Sequence, residues 1–341
     1  MTEQYFGTRP TLEAVAALAG VSRATASRVV NGGSGVRPPL VDKVRQAVEE
    51  LGYIPNPAAR SLVTRRTGAV AVIVAEPETR FFSDPFFSQQ IRGIGKELTA
   101  HDTQLVLLLV EDADDYGRVS RYLAGGHVDG ALAFSLHEDD PLPGITRGAG
   151  VLTVFGGRPG FPTPVPYVDA DNRGGAREAV RHLISIGRKH IAHIAGPLDQ
   201  TASTDRLAGY RDMLPEADPA LVAEGAFTSG SGAAAMSQLL LRRPQLDAVF
   251  AANDLMASGA LRVLRESGRR VPDDVALVGF DDMASVAEAT DPPLTTVRQE
   301  IEEMGRLMAR LLLRGLDQGG AEVAPPASVI TPTTLVRRAS A

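Results

Sequence analysis

From Ala69 onward, short apolar runs alternate with longer amphipathic stretches. The runs have strand length, and the stretches between them carry apolar residues at helical spacing. Apolar strands that alternate with helices are typical of parallel sheets covered on both faces. Because some 270 residues follow this pattern, we expect two α/β lobes. The predicted strands are Ala69–Ala75, Leu105–Val110, Val128–Phe134, Val151–Phe155, Ile191–Ala195, Ala248–Ala252 and Val275–Phe280, and the predicted helices are Phe87–Ala100, Gly174–Ile186, Asp205–Leu214, Gly232–Leu241 and Asp254–Ser267.

The tail of the chain, Val329–Arg338, predicts one last strand, and no heptad repeat follows it. Ligands of open α/β sheets bind beyond the carboxyl ends of the strands. The candidate ligand-binding residues are therefore those that come directly after each predicted strand.

The segment Thr11–Gly32 predicts two short helices joined by a tight turn. Thr11 and Ser22 are good N-caps, while Gly20 and the Asn31-Gly32 pair are good helix ends. Apolar residues of the first helix recur at helical spacing and predict a small core. These residues are Leu12, Val15, Ala16 and Ala19.

A third helix is predicted over Val41–Leu51 and ends at Gly52. On the second helix, Arg23, Ala24, Ser27 and Arg28 share the outer face. Three short helices with a polar, basic second helix are typical of a helix-turn-helix domain whose second helix enters a DNA major groove.

A helix of about two turns is predicted after this domain, over residues 57–64, with Asn56 as its N-cap. So short a helix is marginal alone in water, so we expect it to need a partner or DNA in order to form. The predicted divisions are a DNA-binding domain at 1–55, a hinge at 56–67 and a two-lobed core at 68–341.

Charge is distributed unevenly along the chain, whose formal net charge is −6. Residues 1–66 hold nine Lys and Arg against five Asp and Glu. A basic head on an acidic body is typical of a DNA-binding module attached to a soluble domain.

Several other classes of protein are disfavoured. The chain has no cysteine, which excludes disulfides and thiolate chemistry. Its start lacks a signal-peptide pattern, and no apolar run approaches the roughly 20 residues that span a bilayer. We therefore expect a cytoplasmic protein that does not insert into a membrane.

Apparent catalytic motifs also fail. A P-loop needs Ser or Thr after its lysine, but Glu97 follows Gly93–Lys96, so this segment is not a P-loop. A dinucleotide-binding fingerprint follows a strand, whereas Gly32–Gly35 follows a helix, so this segment is not such a fingerprint. His182, His190 and His193 lack a metal-ligand spacing. We expect no catalytic residue, no metal and no cofactor.

In combination, six motifs resemble the lactose-repressor (LacI/GalR) family of transcription factors. The resemblance covers Thr11 to Arg338 and implies cytoplasmic dimers or tetramers with a helix-turn-helix head, a hinge helix and a two-lobed core like that of periplasmic sugar receptors. It implies a first lobe of about 68–168 plus 298–320, and a second of about 169–297 plus 321–341. The motifs are Val21–Asn31, Leu51–Ala58, Asp205–Tyr210, Ala251–Asp254, Val278–Asp282 and Pro293–Val297.

By this resemblance, Arg23, Ala24 and Arg28 read bases, and Leu62 is a minor-groove wedge. Arginine can contact guanine O6 and N7 together, and an inserted apolar side chain bends the duplex. The alternatives are a solvated helix face and a linker leucine that packs on the core. The residues predicted to contact DNA are Thr11, Ser22, Arg23, Ala24, Thr25, Ser27, Arg28, Asn31, Asn56, Ala59 and Leu62.

The resemblance also implies a small molecule bound between the lobes. Arg206 opposite Asp281 suits sugar hydroxyls or the polar edge of a purine, although an interlobe salt bridge is an alternative. Phe227 stacks on the ligand or belongs to the core, and Asn253 contacts the ligand while Asp254 caps the next helix. The residues predicted to contact the effector are Asp84, Phe86, Phe87, Arg158, Arg206, Phe227, Asn253 and Asp281.

Two further phenylalanines, Phe81 and Phe82, depart from the commoner family pattern. They extend the cleft for a longer glycoside, or they fill the core beneath the helix. Arg158 reaches the cleft, or it belongs to a simple turn at 156–159.

The sequence therefore predicts a homodimeric repressor of a palindromic double-stranded DNA operator, with a saccharide effector. Alternatives are a purine-dependent corepressor-type regulator, a periplasmic solute receptor and a sugar-processing enzyme. The missing signal pattern and the basic head disfavour the receptor, and the lack of a nucleophile–base arrangement disfavours the enzyme.

Overall fold

The computed structural model describes residues 10–31, 33–54, 66–160, 165–318 and 328–341. The chain divides into two compact units, Met1–Gly68 and Ala69–Ala341. In the described ranges, every helix is too short or too polar to cross a membrane.

The first unit contains three helices, α1 (Leu12–Ala19), α2 (Arg23–Val30) and α3 (Pro38–Leu51). The predicted caps are confirmed: the Ala14 amide donates to Thr11 Oγ1 over 3.2 Å, and the Thr25 amide donates to Ser22 Oγ over 3.2 Å. Gly20 ends α1 with a φ of 65°, a conformation that glycine adopts without steric cost. Small side chains form the core, namely Val15, Ala16, Ala19, Ala26, Val44 and Ala47.

The predicted hinge helix lies outside the described residues, and with it the predicted DNA contacts Asn56, Ala59 and Leu62.

The first lobe of the second unit is built on a parallel sheet whose strand order is β11-β5-β4-β3-β1-β2. Its strands are β1 (Ala69–Val74), β2 (Gln104–Leu109), β3 (Gly130–Phe134), β4 (Thr153–Gly156), β5 (Tyr167–Ala170) and β11 (Ser328–Thr331). Its helices are α4 (Glu78–Ser83), α5 (Pro85–Ala100), α6 (Ala113–Ala124), α7 (Leu142–Gly148) and α13 (Ile301–Asp317).

The second lobe has a sheet of strand order β12-β10-β9-β8-β6-β7, in which only the β12–β10 pair is antiparallel among the described strands. Its strands are β6 (Ile191–Ala195), β7 (Val222–Glu224), β8 (Ala248–Ala251), β9 (Ala276–Asp281), β10 (Thr295–Arg298) and β12 (Thr334–Val336). Its helices are α8 (Asn172–Ser185), α9 (Thr201–Met213), α10 (Ser229–Arg242), α11 (Asp254–Glu266) and α12 (Ala284–Ala287). The predicted fold class, a helical head plus a two-lobed α/β core, is confirmed.

The C-terminal segment differs from the prediction. It forms two strands rather than one, and the first of them, β11, pairs with β5 in the first lobe and not in the second. Pro332 separates them, and because proline has no amide hydrogen it cannot continue a strand ladder. Strand β5 also continues to Ala170, two residues past the lobe boundary inferred from the resemblance. The chain therefore passes between the lobes after β5, after β10 and after β11.

Helices α5 and α13 of the first lobe cross with their backbones nearly in contact. A Cβ added at Gly93 would lie 1.9 Å from the carbonyl oxygen of Glu302, and one at Gly305 would lie 2.2 Å from that of Gln90. The crossing therefore requires a residue without a side chain at both positions.

Candidate functional site

The outer face of α2 carries the residues predicted to contact bases. Arg23, Ala24 and Arg28 are exposed to solvent. The Arg23 guanidinium lies 2.6 Å from a Glu13 carboxylate oxygen, but both side chains are mostly exposed. Exposed pairs of this kind contribute little free energy. Both arginines are thus available to a ligand that approaches this face.

The polar residues of α2 hold one another in place. Ser22 Oγ, besides capping the helix, lies 2.9 Å from Thr25 Oγ1. Asn31 Nδ2 donates to Ser27 Oγ over 3.3 Å. Thr25, Ser27 and Asn31 are half-buried, so their hydroxyl and amide groups lie at the edge of the exposed arginine face.

In the second unit, a cavity opens between the two lobes at the carboxyl ends of their strands, where sheets of this type bind ligands. The structure brings all eight predicted effector residues to its wall. They are Asp84, Phe86, Phe87, Arg158, Arg206, Phe227, Asn253 and Asp281.

Arg206, near the start of α9, is buried on the second-lobe side of the cavity. Its Nε donates to Asn172 Oδ1 over 2.9 Å, and its Nη1 donates to the carbonyl of Ala252. The guanidinium carbon lies 3.7 Å from the centre of the Phe280 ring, in cation–π contact. These contacts fix the guanidinium before any ligand arrives.

Asp281, the last residue of β9, lies beside this arginine. Its Oδ1 is 3.6 Å from Arg206 Nη2 and accepts a hydrogen bond of 2.6 Å from Gln299 Nε2. Burial raises the pKa of Asp281 to about 7, while the charge of Arg206 opposes this rise and the nearby Asp84 adds to it. The two groups form a buried pair of opposite hydrogen-bonding character.

Asn253 has a structural role besides lining the cavity. Its Oδ1 caps α11 by accepting from the Met256 amide over 2.9 Å, and its Nδ2 donates to the Phe227 carbonyl over 3.1 Å. The expectation that Asp254 caps this helix is wrong. Asp254 is buried and instead accepts from the Met283 amide over 2.9 Å and from Thr296 Oγ1 over 2.6 Å.

Aromatic rings form much of the remaining wall. Phe87 is buried and stacks on Phe134, with ring centres 6.1 Å apart. The Arg80 guanidinium lies 5.7 Å from the Phe87 ring centre and 5.2 Å from that of Phe227, so it contacts aromatic rings of both lobes. Asp84 Oδ1 caps α5 by accepting from the Phe86 amide over 3.0 Å, and burial raises its pKa.

The prediction that Phe81 and Phe82 extend the cleft is wrong. Phe81 packs in the core of the first lobe, with its ring centre 5.6 Å from that of Phe87. Phe82 faces solvent, and neither ring lines the cavity. Phe81 therefore fills the core beneath the helix, as in the alternative interpretation.

Polar pairs join the two lobes, and two of their members, Arg158 and Gln200, line the cavity. Arg158 Nη2 lies 2.8 Å and 2.7 Å from the two carboxylate oxygens of Asp205. Gln200 Nε2 donates to Glu76 Oε1 over 3.1 Å, and His137 Nδ1 lies 2.7 Å from Asp199 Oδ2. Arg158 is therefore both a wall residue and part of an interlobe ion pair.

Comparison with known proteins decides the family. Residues 11–56 match the family model described as bacterial regulatory proteins, lacI family, and residues 180–341 match a periplasmic binding protein-like domain. The HTH-type transcriptional regulator CelR of Thermobifida fusca is 52% identical over 338 residues, which cover 97% of this chain and 98% of CelR. The chain belongs to the LacI family. It is a DNA-binding transcriptional repressor with a ligand-binding core.

Other relatives of this LacI-family repressor agree. The ribose operon repressor of Escherichia coli K12 is 33% identical over 314 residues, covering 90% of this chain and 93% of that protein. A structure of a CelR–cellobiose complex has a TM-score of 0.78 at 49% identity, covering 98% of this chain and 100% of that one. A Lac repressor dimer bound to operator and the anti-inducer ONPF has a TM-score of 0.84 at 30% identity, covering 98% and 99%.

Sequence reasoning missed several wall residues of this LacI-family repressor. Asn172 and Gln299 follow β5 and β10, two strands that the apolar pattern did not reveal. The rule that ligand-binding residues come after strands would have found both residues once these strands were recognised. The other missed polar wall residues are Arg80, Gln90, Ser135, Asp169, Gln200 and Thr201.

Proposed function

We propose that this repressor binds a β-linked glucose disaccharide, cellobiose or a close analogue, in the cavity between the lobes, and that binding lowers its affinity for the operator. The observation that carries the proposal is the buried pair of Arg206 and Asp281 beside the rings of Phe227 and Phe87. The cellobiose complex of CelR, at 49% identity, supports this choice of ligand.

The chemistry of the wall suits a saccharide. The carboxyl oxygens of Asp84 and Asp281 accept hydrogen bonds from hydroxyl groups, and Arg206 donates to hydroxyl oxygens. The apolar face of a pyranose ring packs on aromatic side chains. Each sugar hydroxyl both donates and accepts, so it needs both kinds of partner, and this wall offers them together.

We further propose that the protein acts as a cytoplasmic homodimer without catalytic activity. Its two heads read a pseudo-palindromic operator through Arg23 and Arg28, with half-sites about one helical turn apart. Phosphate contacts come from polar groups at and near the start of α2, which set the register. By family resemblance, Asn56, Ala59 and Leu62 contribute the hinge contacts.

Replacement of Arg206 tests the effector site. We expect Arg206→Ala to retain operator affinity within about twofold and to lose the response to cellobiose, because the fixed donor in the cavity is gone. The operator Kd is measured by fluorescence anisotropy, with and without cellobiose. The DNA is an operator sequence that the native protein selects from a random pool.

Arg211 provides a matched control, because it is on the same helix and faces solvent. Arg211→Ala should respond like the native protein. Circular dichroism should first show that the Arg206→Ala variant is folded, since it leaves Asp281 without its cationic neighbour. A folded Arg206→Ala variant that cellobiose still releases normally would contradict the proposed site.

A further inference from the structure

The carboxyl end of β9 turns through two successive residues in a left-handed conformation. Asp281 has a φ of 103° and Asp282 a φ of 55°. Residues other than glycine adopt such angles infrequently, and a turn of this kind persists only where its surroundings hold it. Because Asp281 lines the cavity, this turn determines where its carboxylate lies.

Two arginines hold the second residue of the turn. The Asp282 side chain is 3% exposed, and its Oδ2 accepts from Arg298 Nε over 2.6 Å. Its Oδ1 lies 2.7 Å from Arg338 Nη1, an ionic contact rather than a well-aligned hydrogen bond. Arg298 ends β10 and Arg338 follows β12, so both partners are distant in sequence from the turn.

Arg338 also contacts the loop that leads from the turn back to β10. Its Nη1 donates to the Leu294 carbonyl over 2.9 Å, and its Nη2 donates to Glu288 Oε1 over 3.3 Å. Its own amide donates to Thr295 Oγ1 over 2.9 Å. The side chain is 15% exposed, and neither Arg338 nor Arg298 lines the cavity.

We infer that Arg338 is a positioning residue for the effector, which acts through Asp282 to fix the turn that places the Asp281 carboxylate beside Arg206 and Gln299. Arg298 supports the same turn from the other oxygen of Asp282. The inference rests on the proposed role of Asp281 in effector binding. It means that effector affinity depends on a C-terminal residue that does not touch the ligand.

A purely structural role for Arg338 would lower stability and leave effector affinity unchanged, so the test must measure both. The full-length chain is titrated with cellobiose by calorimetry, and its thermal unfolding is recorded without ligand. The variants are Arg338→Met, Asp282→Asn and the two combined. Arg337→Met is the matched control, because Arg337 is the preceding arginine and is exposed.

We expect Arg338→Met to raise the Kd for cellobiose about tenfold, and Asp282→Asn, which also weakens the Arg298 contact, to raise it at least as much. The double variant should raise it no further than Asp282→Asn does, because that change already removes the contact between Arg338 and Asp282. Arg337→Met should keep the native Kd. Losses that multiply in the double variant, or an Arg338→Met protein with lowered Tm and native Kd, would overturn the inference.

Two different results would show that cellobiose is not the effector and that Arg338 does not position Asp281. If the native protein does not bind cellobiose, the proposed effector is wrong, and a crystal structure of the Arg338→Met variant decides the inference. A turn that relaxes and moves the Asp281 carboxylate away from Gln299 would support it. A turn that keeps both positive φ angles and the 2.6 Å contact with Gln299 would overturn it.

Discussion

At the scale of single residues, the cavity concentrates acidic groups away from water. Burial raises the pKa of Asp281 to about 7, and burial also raises the pKa values of the other two acidic wall residues, Asp84 and Asp169. An acid whose pKa is raised on folding binds its proton more tightly in the native state. Its favourable contribution to stability is complete below the unfolded-state pKa and is lost as the pH rises through the folded-state pKa.

The replacement Asp281→Asn should therefore change the dependence of stability on pH. Between pH 5 and pH 8, we expect the native free energy of unfolding to fall by roughly 2–3 kcal/mol more than that of the variant, since each pKa unit corresponds to about 1.4 kcal/mol. Urea unfolding at several pH values measures this. The other buried carboxyl groups remain in both proteins, and Asp139→Asn, at an exposed position, is the control. If the free energy of unfolding depends on pH in the same way for the native and Asp281→Asn proteins, the pKa of Asp281 is not raised.

At the scale of helices and strands, the crossing of α5 and α13 requires glycine at Gly93 and Gly305. We expect Gly93→Ala to destabilise the protein by about 1–3 kcal/mol or more, because its methyl group would meet the Glu302 backbone, which cannot rotate away. Gly95, on the same helix, has open space at its Cβ position. Gly95→Ala should be neutral or stabilise by up to about 1 kcal/mol through helix propensity. Urea unfolding compares the two, and equal effects would contradict the close crossing.

Strands also show how far the sequence predicts this fold. The apolar strands β1, β3, β8 and β9 follow from local pattern, because burial on both faces selects continuous apolar runs. Strand β10 does not, because Thr295 and Thr296 are buried polar residues. Their hydrogen-bond partners, Asp254 and the C-terminal residues, are distant in the chain. A local sequence pattern does not predict hydrogen bonds between residues so far apart. The sequence therefore did not predict β10, nor the cavity residue Gln299 that follows it.

For the molecule as a whole, the sequence predicted a helical head, a two-lobed α/β core and eight residues of the cavity wall. The helix caps depend on neighbouring residues, and the basic charge of residues 1–66 follows from composition, so the sequence alone predicts both. The eight predicted effector residues reach one cavity from both lobes, which the family resemblance implied. The contacts that hold these residues in place join positions far apart in the chain, so the sequence does not predict them. Examples are the hydrogen bond from Arg206 to Asn172 and the ion pair of Arg338 with Asp282.

We propose that occupation of the cavity controls DNA binding. An effector changes operator affinity only as far as it binds the two states differently, and such coupling is typically about 5- to 150-fold. The most direct measurement is the Kd of the full-length protein for its selected inverted-repeat operator, with and without saturating cellobiose. We predict that cellobiose raises this Kd at least fivefold. If calorimetry shows that cellobiose is bound and the operator Kd stays constant or falls, the saccharide does not release this repressor from DNA.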